Sequence, residues 1–102
     1  MYMLVFYVPP SHLDDVKEAV FAAGGGRIGN YDRCCWQTLG RGQFRPLPGS
    51  APFVGRQGDV ETCDEVRVEL VCLEDCLENV LNALRASHPY ETPAYACWSV
   101  SC

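Results

Sequence analysis

His88 and Glu91 stand three residues apart, with Tyr90 between them. An imidazole and a carboxylate at that spacing can start a metal site. A thiolate from Cys35 or Cys97 would add a third ligand, and thiolate with imidazole favours copper or zinc over magnesium. The same residues also have a structural reading, in which Pro89 ends a helix, His88 supplies a hydrogen bond at its C-terminus, Tyr90 packs, and Glu91 pairs with an arginine. Nucleophilic chemistry has thinner support. A reactive thiol needs a base or a cation beside it to lower its pKa, and Cys34 and Cys35, flanked by Arg33, come nearest to that. No complete catalytic constellation is present, so the sequence points to a binding protein rather than an enzyme.

The chain has seven cysteines, an odd number, and no C-x-x-C pair. Zinc sites and thiol–disulfide motifs usually show that spacing. Small buried hydrophobes in a reducing compartment are the simpler explanation.

All nine glycines lie between Gly24 and Gly58, together with five of the eight basic residues and a single acid, Asp32. That block carries about +4 and the remainder about −9, giving the net −5 of the chain. The block reads as the working surface, aimed at a small anionic ligand or a protein partner. Arg27, Arg33 and Arg45 could clamp a carboxylate or phosphate through bidentate contacts. The glycines at Gly24–Gly26 do not form a phosphate loop, because they follow a helix rather than precede one. Net negative charge argues against nucleic acid, which needs a basic face. The apolar start, Tyr2–Val8, is too short to span a membrane and lacks the flanks of a secretory signal. A cytoplasmic location is the expectation.

These residues need elements to position them. Tyr2–Val8 alternates two apolar faces, the mark of a central strand covered on both sides. Ser11 is the expected cap of a first helix, with Asp14 three residues on, and Gly24–Gly26 ends it. Asn30–Leu39 reads as a strand, Gly40–Arg41–Gly42 as a tight turn, and Gln43–Arg45 as a short return. Prolines and glycines then forbid regular structure over residues 46–58, where Ser50, Phe53 and Arg56 sit on a semi-rigid frame suited to a partner. A strand over Val60–Leu73, a helix over Glu74–Ser87 and a strand over Tyr95–Val100 complete the chain. The order strand, helix, strand, strand, helix, strand predicts one α+β domain over residues 1–102. Its form is ferredoxin-like, βαββαβ, with two helices on one face of an antiparallel sheet. The first strand would leave an apolar second face uncovered, which is unusual for a monomer. Stacking of sheet faces in a cyclic oligomer would hide it.

Two segments carry a resemblance. The run from Gly29 to Gly55 (GNYDRCCWQTLGRGQFRPLPGSAPFVG) resembles the inserted domain of YqfO-type proteins of the NGG-one-interacting-factor-three family, often labelled GTP cyclohydrolase-like. His88 to Tyr95 (HPYETPAY) is similar to that insert too, and to a corner of the CutA divalent-cation tolerance proteins. The resemblance spans nearly the whole chain. It implies a CutA-like or PII-like ferredoxin fold, with an extended hairpin, that forms a homotrimer. It implies no activity: full-length members carry a dinuclear metal site on a separate domain, whereas His12 and His88 are the only histidines here. The insert is expected to stand alone. PII-type proteins bind nucleotides between subunits, but their nucleotide motif is not recognisable.

The combined expectation is a non-catalytic trimeric binding or regulatory module. Its cleft would form between subunits near Arg27, Asn30, Tyr31, Arg45, Ser50, His88, Tyr90 and Glu91. One alternative is a CutA-like protein holding a divalent or soft metal ion through His88, Glu91 and Cys35. Another is an accessory part of a dinuclear-metal hydrolase-like assembly.

Overall fold

The computed structural model describes residues 1–102. The first strand, β1 (Tyr2–Val8), lies inside a four-stranded sheet. It is followed by α1 (Leu13–Ala22), β2 (Trp36–Phe44), β3 (Glu61–Cys72), α2 (Glu74–Ser87) and β4 (Tyr95–Ser99). The strand order is β2-β3-β1-β4 and every pairing is antiparallel. This is the expected ferredoxin-like α+β arrangement.

The core forms where one face of the sheet meets the helices. Leu4, Phe6 and Val8 of β1 and Val66, Val68, Leu70 and Cys72 of β3 point to that side, as their alternation requires. Val16, Val20 and Phe21 of α1 and Val80 and Leu84 of α2 close over them. The opposite face carries no helix. It carries Met3, Val5 and Tyr7 from β1, Arg67, Glu69 and Val71 from β3, and the tryptophans Trp36 and Trp98 from the two edge strands; Val5 and Val71 are buried within the chain and the tryptophans are exposed. This face is not bare hydrocarbon, because Arg67 donates to Glu69 at 3.1 Å and to the Tyr7 hydroxyl at 3.0 Å.

Three local expectations need correction. Ser11 does not cap α1. Pro9 and Pro10 start a single 3-10 turn, Pro10–His12, and the Ser11 hydroxyl is spent on its neighbour His12 Nδ1 at 2.8 Å. The second strand begins at Trp36 rather than Asn30, because Ile28 and Tyr31 close a tight turn of their own, with N···O distances of 2.9 Å in both directions. Gly29, at φ 56°, supplies the positive φ that this turn needs.

The third correction matters most for the site. Gly40–Arg41–Gly42 is not a turn, and Gln43–Arg45 is not the return. β2 runs straight through, with Gly40 opposite Glu65 and Gly42 opposite Cys63. A glycine inside a strand often marks a close approach by another group, and here a Cβ on Gly42 would lie 1.8 Å from Oε1 of Glu65. The missing side chain is what lets the Glu65 carboxylate lie across the strand. The true hairpin connection is the irregular segment after Phe44. Residues Glu61–Glu65 of β3 pair with β2 alone, so the hairpin projects beyond β1 and stretches the molecule to 46 × 24 × 23 Å.

Candidate functional site

The end of α2 builds one corner. The residue before a proline is pushed out of the helical region, and His88 duly leaves the helix with ψ 138° while its N–H still bonds Leu84 O at 3.0 Å. Its ring turns inward and is 7% exposed. Nδ1 accepts the Tyr90 N–H at 3.1 Å, so the proton sits on Nε2, which donates to the Tyr7 carbonyl at 2.6 Å. Burial holds the His88 pKa below its ordinary value, with the bond to Tyr7 pulling the other way. His88 is therefore a neutral clasp between α2 and β1.

Tyr90 is the centre of an aromatic group. Its ring lies 4.8 Å from His88, 6.1 Å from Phe53 and 6.4 Å from Phe44, centroid to centroid. Its hydroxyl is 3.7 Å from Cys63 Sγ. Burial above all, then the Cys63 contact and the Glu65 charge, push the phenol pKa up, so the ring stays neutral. Phe53 also meets His12 edge-on at 5.4 Å.

The irregular loop folds back onto this corner. Glu91 Oε2 accepts the Ala51 N–H at 3.0 Å. The loop is closed on itself by Gly58 N–H to Pro46 O at 2.8 Å and by the Ser50 hydroxyl to Leu47 O at 2.7 Å. Between loop, hairpin and corner lies a cleft of about 260 Å³. Phe44, Phe53 and Tyr90 wall it, Glu65 and Glu91 line it, and Ser50 stands at its edge.

His88, Tyr90, Glu91 and Ser50 thus come together at one corner of a single chain. Arg45 lies in sequence between the cleft residues Phe44 and Pro46 but is exposed and outside the cleft lining. Arg27, Asn30 and Tyr31 go to the other end of the sheet. Their loop is anchored by the Gly26 N–H to Val71 O at 2.8 Å, and Val71 pairs with Met3, whereas His88 bonds Tyr7. One chain does not unite these two groups.

The metal reading through His88, Glu91 and Cys35 does not survive the geometry. Both His88 nitrogens are committed to backbone groups. Cys35 packs against the core just before β2, at the level of Leu4, about 10 Å along the sheet from Tyr7 at ~3.4 Å per residue. No group of three His, Cys, Asp or Glu side chains is arranged to hold a metal ion. Glu91 takes a backbone N–H rather than an arginine. Arg33, expected as an anion clamp and as an activator of Cys34, is bonded through both terminal nitrogens to Glu18 and lies 5.1 Å over Phe21.

Sequence reasoning missed Phe44 and Glu65. Gly42 marks the Glu65 approach only once the register of β2 against β3 is known.

The comparisons agree with this architecture. No family model matches the chain. A GTP cyclohydrolase 1 type 2 homolog of Halalkalibacterium halodurans is 44% identical over 95 residues, 93% of this chain and 26% of that protein. The Bacillus cereus protein related to NIF3 superposes with a TM-score of 0.85 at 33% identity, over 99% of this chain and 26% of that one. The chain is related to one segment of these NIF3-related proteins. It spans about a quarter of the length of the curated relatives it matches. CutA1 of Pyrococcus horikoshii superposes with a TM-score of 0.71 over 100% of this chain and 85% of its own. At 18% identity that likeness shows the fold alone, and it is the fold expected from the strand and helix order. No helix of the chain is long and apolar enough to cross a membrane.

Proposed function

We propose that the chain is a non-catalytic, self-associating binding module, three copies of which bury their helix-free sheet faces together. The observation that carries this reading is the pair of tryptophans on that face: Trp36 is 59% exposed and Trp98 46%. Indole rings left in water at both edges of an unlidded sheet are the composition of an interface core. The separation of the candidate ligand residues supports the same reading. Arg27, Asn30 and Tyr31 of one copy need a second copy to approach Arg45, Ser50, His88, Tyr90 and Glu91. Arg27 and Arg45 make no ion pair within the chain, unlike Arg33, Arg41 and Arg56, and are the cations such an interface has to offer an anion. A binding rather than catalytic role is supported by His88, whose two ring nitrogens are both bonded to backbone groups.

Sedimentation at micromolar concentration tests the proposal. A species of three times the 11.3 kDa chain mass is expected, falling to one chain mass in a Trp36→Glu, Trp98→Glu variant. A wild-type protein that sediments as one chain at every concentration overturns it. A second reading, an accessory part of a hydrolase-like assembly, is favoured by the 26% share of the relative's length that the chain covers. In that case the chemistry would lie on segments outside this one.

A further inference from the structure

We propose that the corner cleft is a binding site for an organic cation, a primary ammonium or guanidinium group held by two carboxylates against aromatic faces. This goes beyond self-association and rests on different observations. The arginine-rich block suggested an anion, but no Lys or Arg lines this cleft, whereas Glu65 and Glu91 do. Neither carboxylate is in an ion pair. Glu91 holds a single backbone N–H, leaving acceptor capacity on both of its oxygens. Glu65 is kept over the strand only because Gly42 has no side chain.

The walls fit the same ligand. Phe44, Phe53 and Tyr90 surround the space with ring separations of 6.1 and 6.4 Å, and a cation within about 6 Å of a ring centroid is attracted by the ring quadrupole. Tyr90 contributes a neutral face, since its phenol keeps its proton. Two histidines border the aromatic group. His88 bonds backbone groups through both ring nitrogens, and His12 packs T-shaped with Phe53 at 5.4 Å with its Nδ1 2.8 Å from the Ser11 hydroxyl. At about 260 Å³ the cleft is below the ~300–1,000 Å³ common for whole ligands. It suits a head group of a few heavy atoms rather than a nucleotide.

Two sources could supply that group: a free small amine, or a Lys or Arg side chain from another copy. The test is calorimetric titration of the full chain with n-butylammonium and agmatine, with n-butanol as the neutral control, alongside sedimentation with and without the amines. Saturable binding of the amines and none of n-butanol is expected. Glu65→Gln and Glu91→Gln each weaken it about fivefold, as for partly exposed charge pairs, and the double variant removes it. Gln at 91 can still accept the Ala51 N–H, so the loop is retained. Gly42→Ala, which changes no charge, weakens binding by displacing Glu65. Amine binding with the association state unchanged identifies a free ligand. Amine binding that dissociates the assembly identifies a side chain of another copy. Equal binding of n-butanol, unaltered binding in the double variant, or no binding at millimolar amine overturns the proposal. The binding readouts are independent of whether the unliganded protein sediments as one chain or three; only the dissociation arm needs an assembled protein.

Discussion

His88 shows how one side chain can look like a ligand in sequence and act as a clasp in the fold. Its ring joins the Tyr7 carbonyl to the Tyr90 N–H, so protonation would break the second bond. Burial holds its pKa below the ordinary 6.5, and the unfolded chain therefore takes up the extra proton first. Its contribution to stability is complete above that ordinary value and is lost as the pH falls below it. We predict that the denaturation midpoint drops between pH 7 and 5, and that this drop is reduced in His88→Gln; an unchanged pH slope in the variant would refute it. Gly42 is the converse case, a residue whose role is an absence. Gly42→Ala displaces only the flexible end of the Glu65 side chain, so urea denaturation should change by no more than about 1 kcal/mol while Glu65 moves off the strand. A larger loss would show that Glu65 cannot give way. The Glu65 position was not legible locally, because it depends on which strand residues face each other across the hairpin.

At the scale of elements, regular segments were more legible than the hairpin. β1 and α2 fall where their alternation, acids and flanking prolines place them. β2 does not, because glycines at residues 40 and 42 look like a turn until β3 is laid beside them in antiparallel register. The long loop was legible as irregular, but its attachment was not, since Glu91 and Ala51 are 40 residues apart. That attachment is testable. Glu91→Ala should raise amide exchange at Ala51 and proteolysis near Gly49–Gly55, while Glu91→Gln should leave both near wild type. Equal behaviour of the two variants would mean the loop is held by Phe53 and Pro46 packing alone.

For the molecule as a whole, the sheet is covered on one face and exposes Trp36 and Trp98 on the other. If copies associate through that face, unfolding is linked to dissociation and the Tm rises with protein concentration. We predict such a rise across a hundredfold dilution series, and its absence in the Trp36→Glu, Trp98→Glu variant. A concentration-independent Tm for the wild type would count against association.

Hydrophobic period, helix-ending glycines and prolines, and element order are properties of short windows, and from them the sequence alone determined the ferredoxin-like fold. The identity of the site is a property of contacts between distant windows. Only the tertiary structure sent Arg27, Asn30 and Tyr31 to one end and His88, Tyr90 and Glu91 to the other. It alone bonded both His88 nitrogens to backbone groups and placed Glu65 and Glu91 on one cleft. The reason is physical: charge and side-chain chemistry are fixed by residue type, but burial, tautomer and neighbourhood are set by strand register and by the loop that closes over the corner.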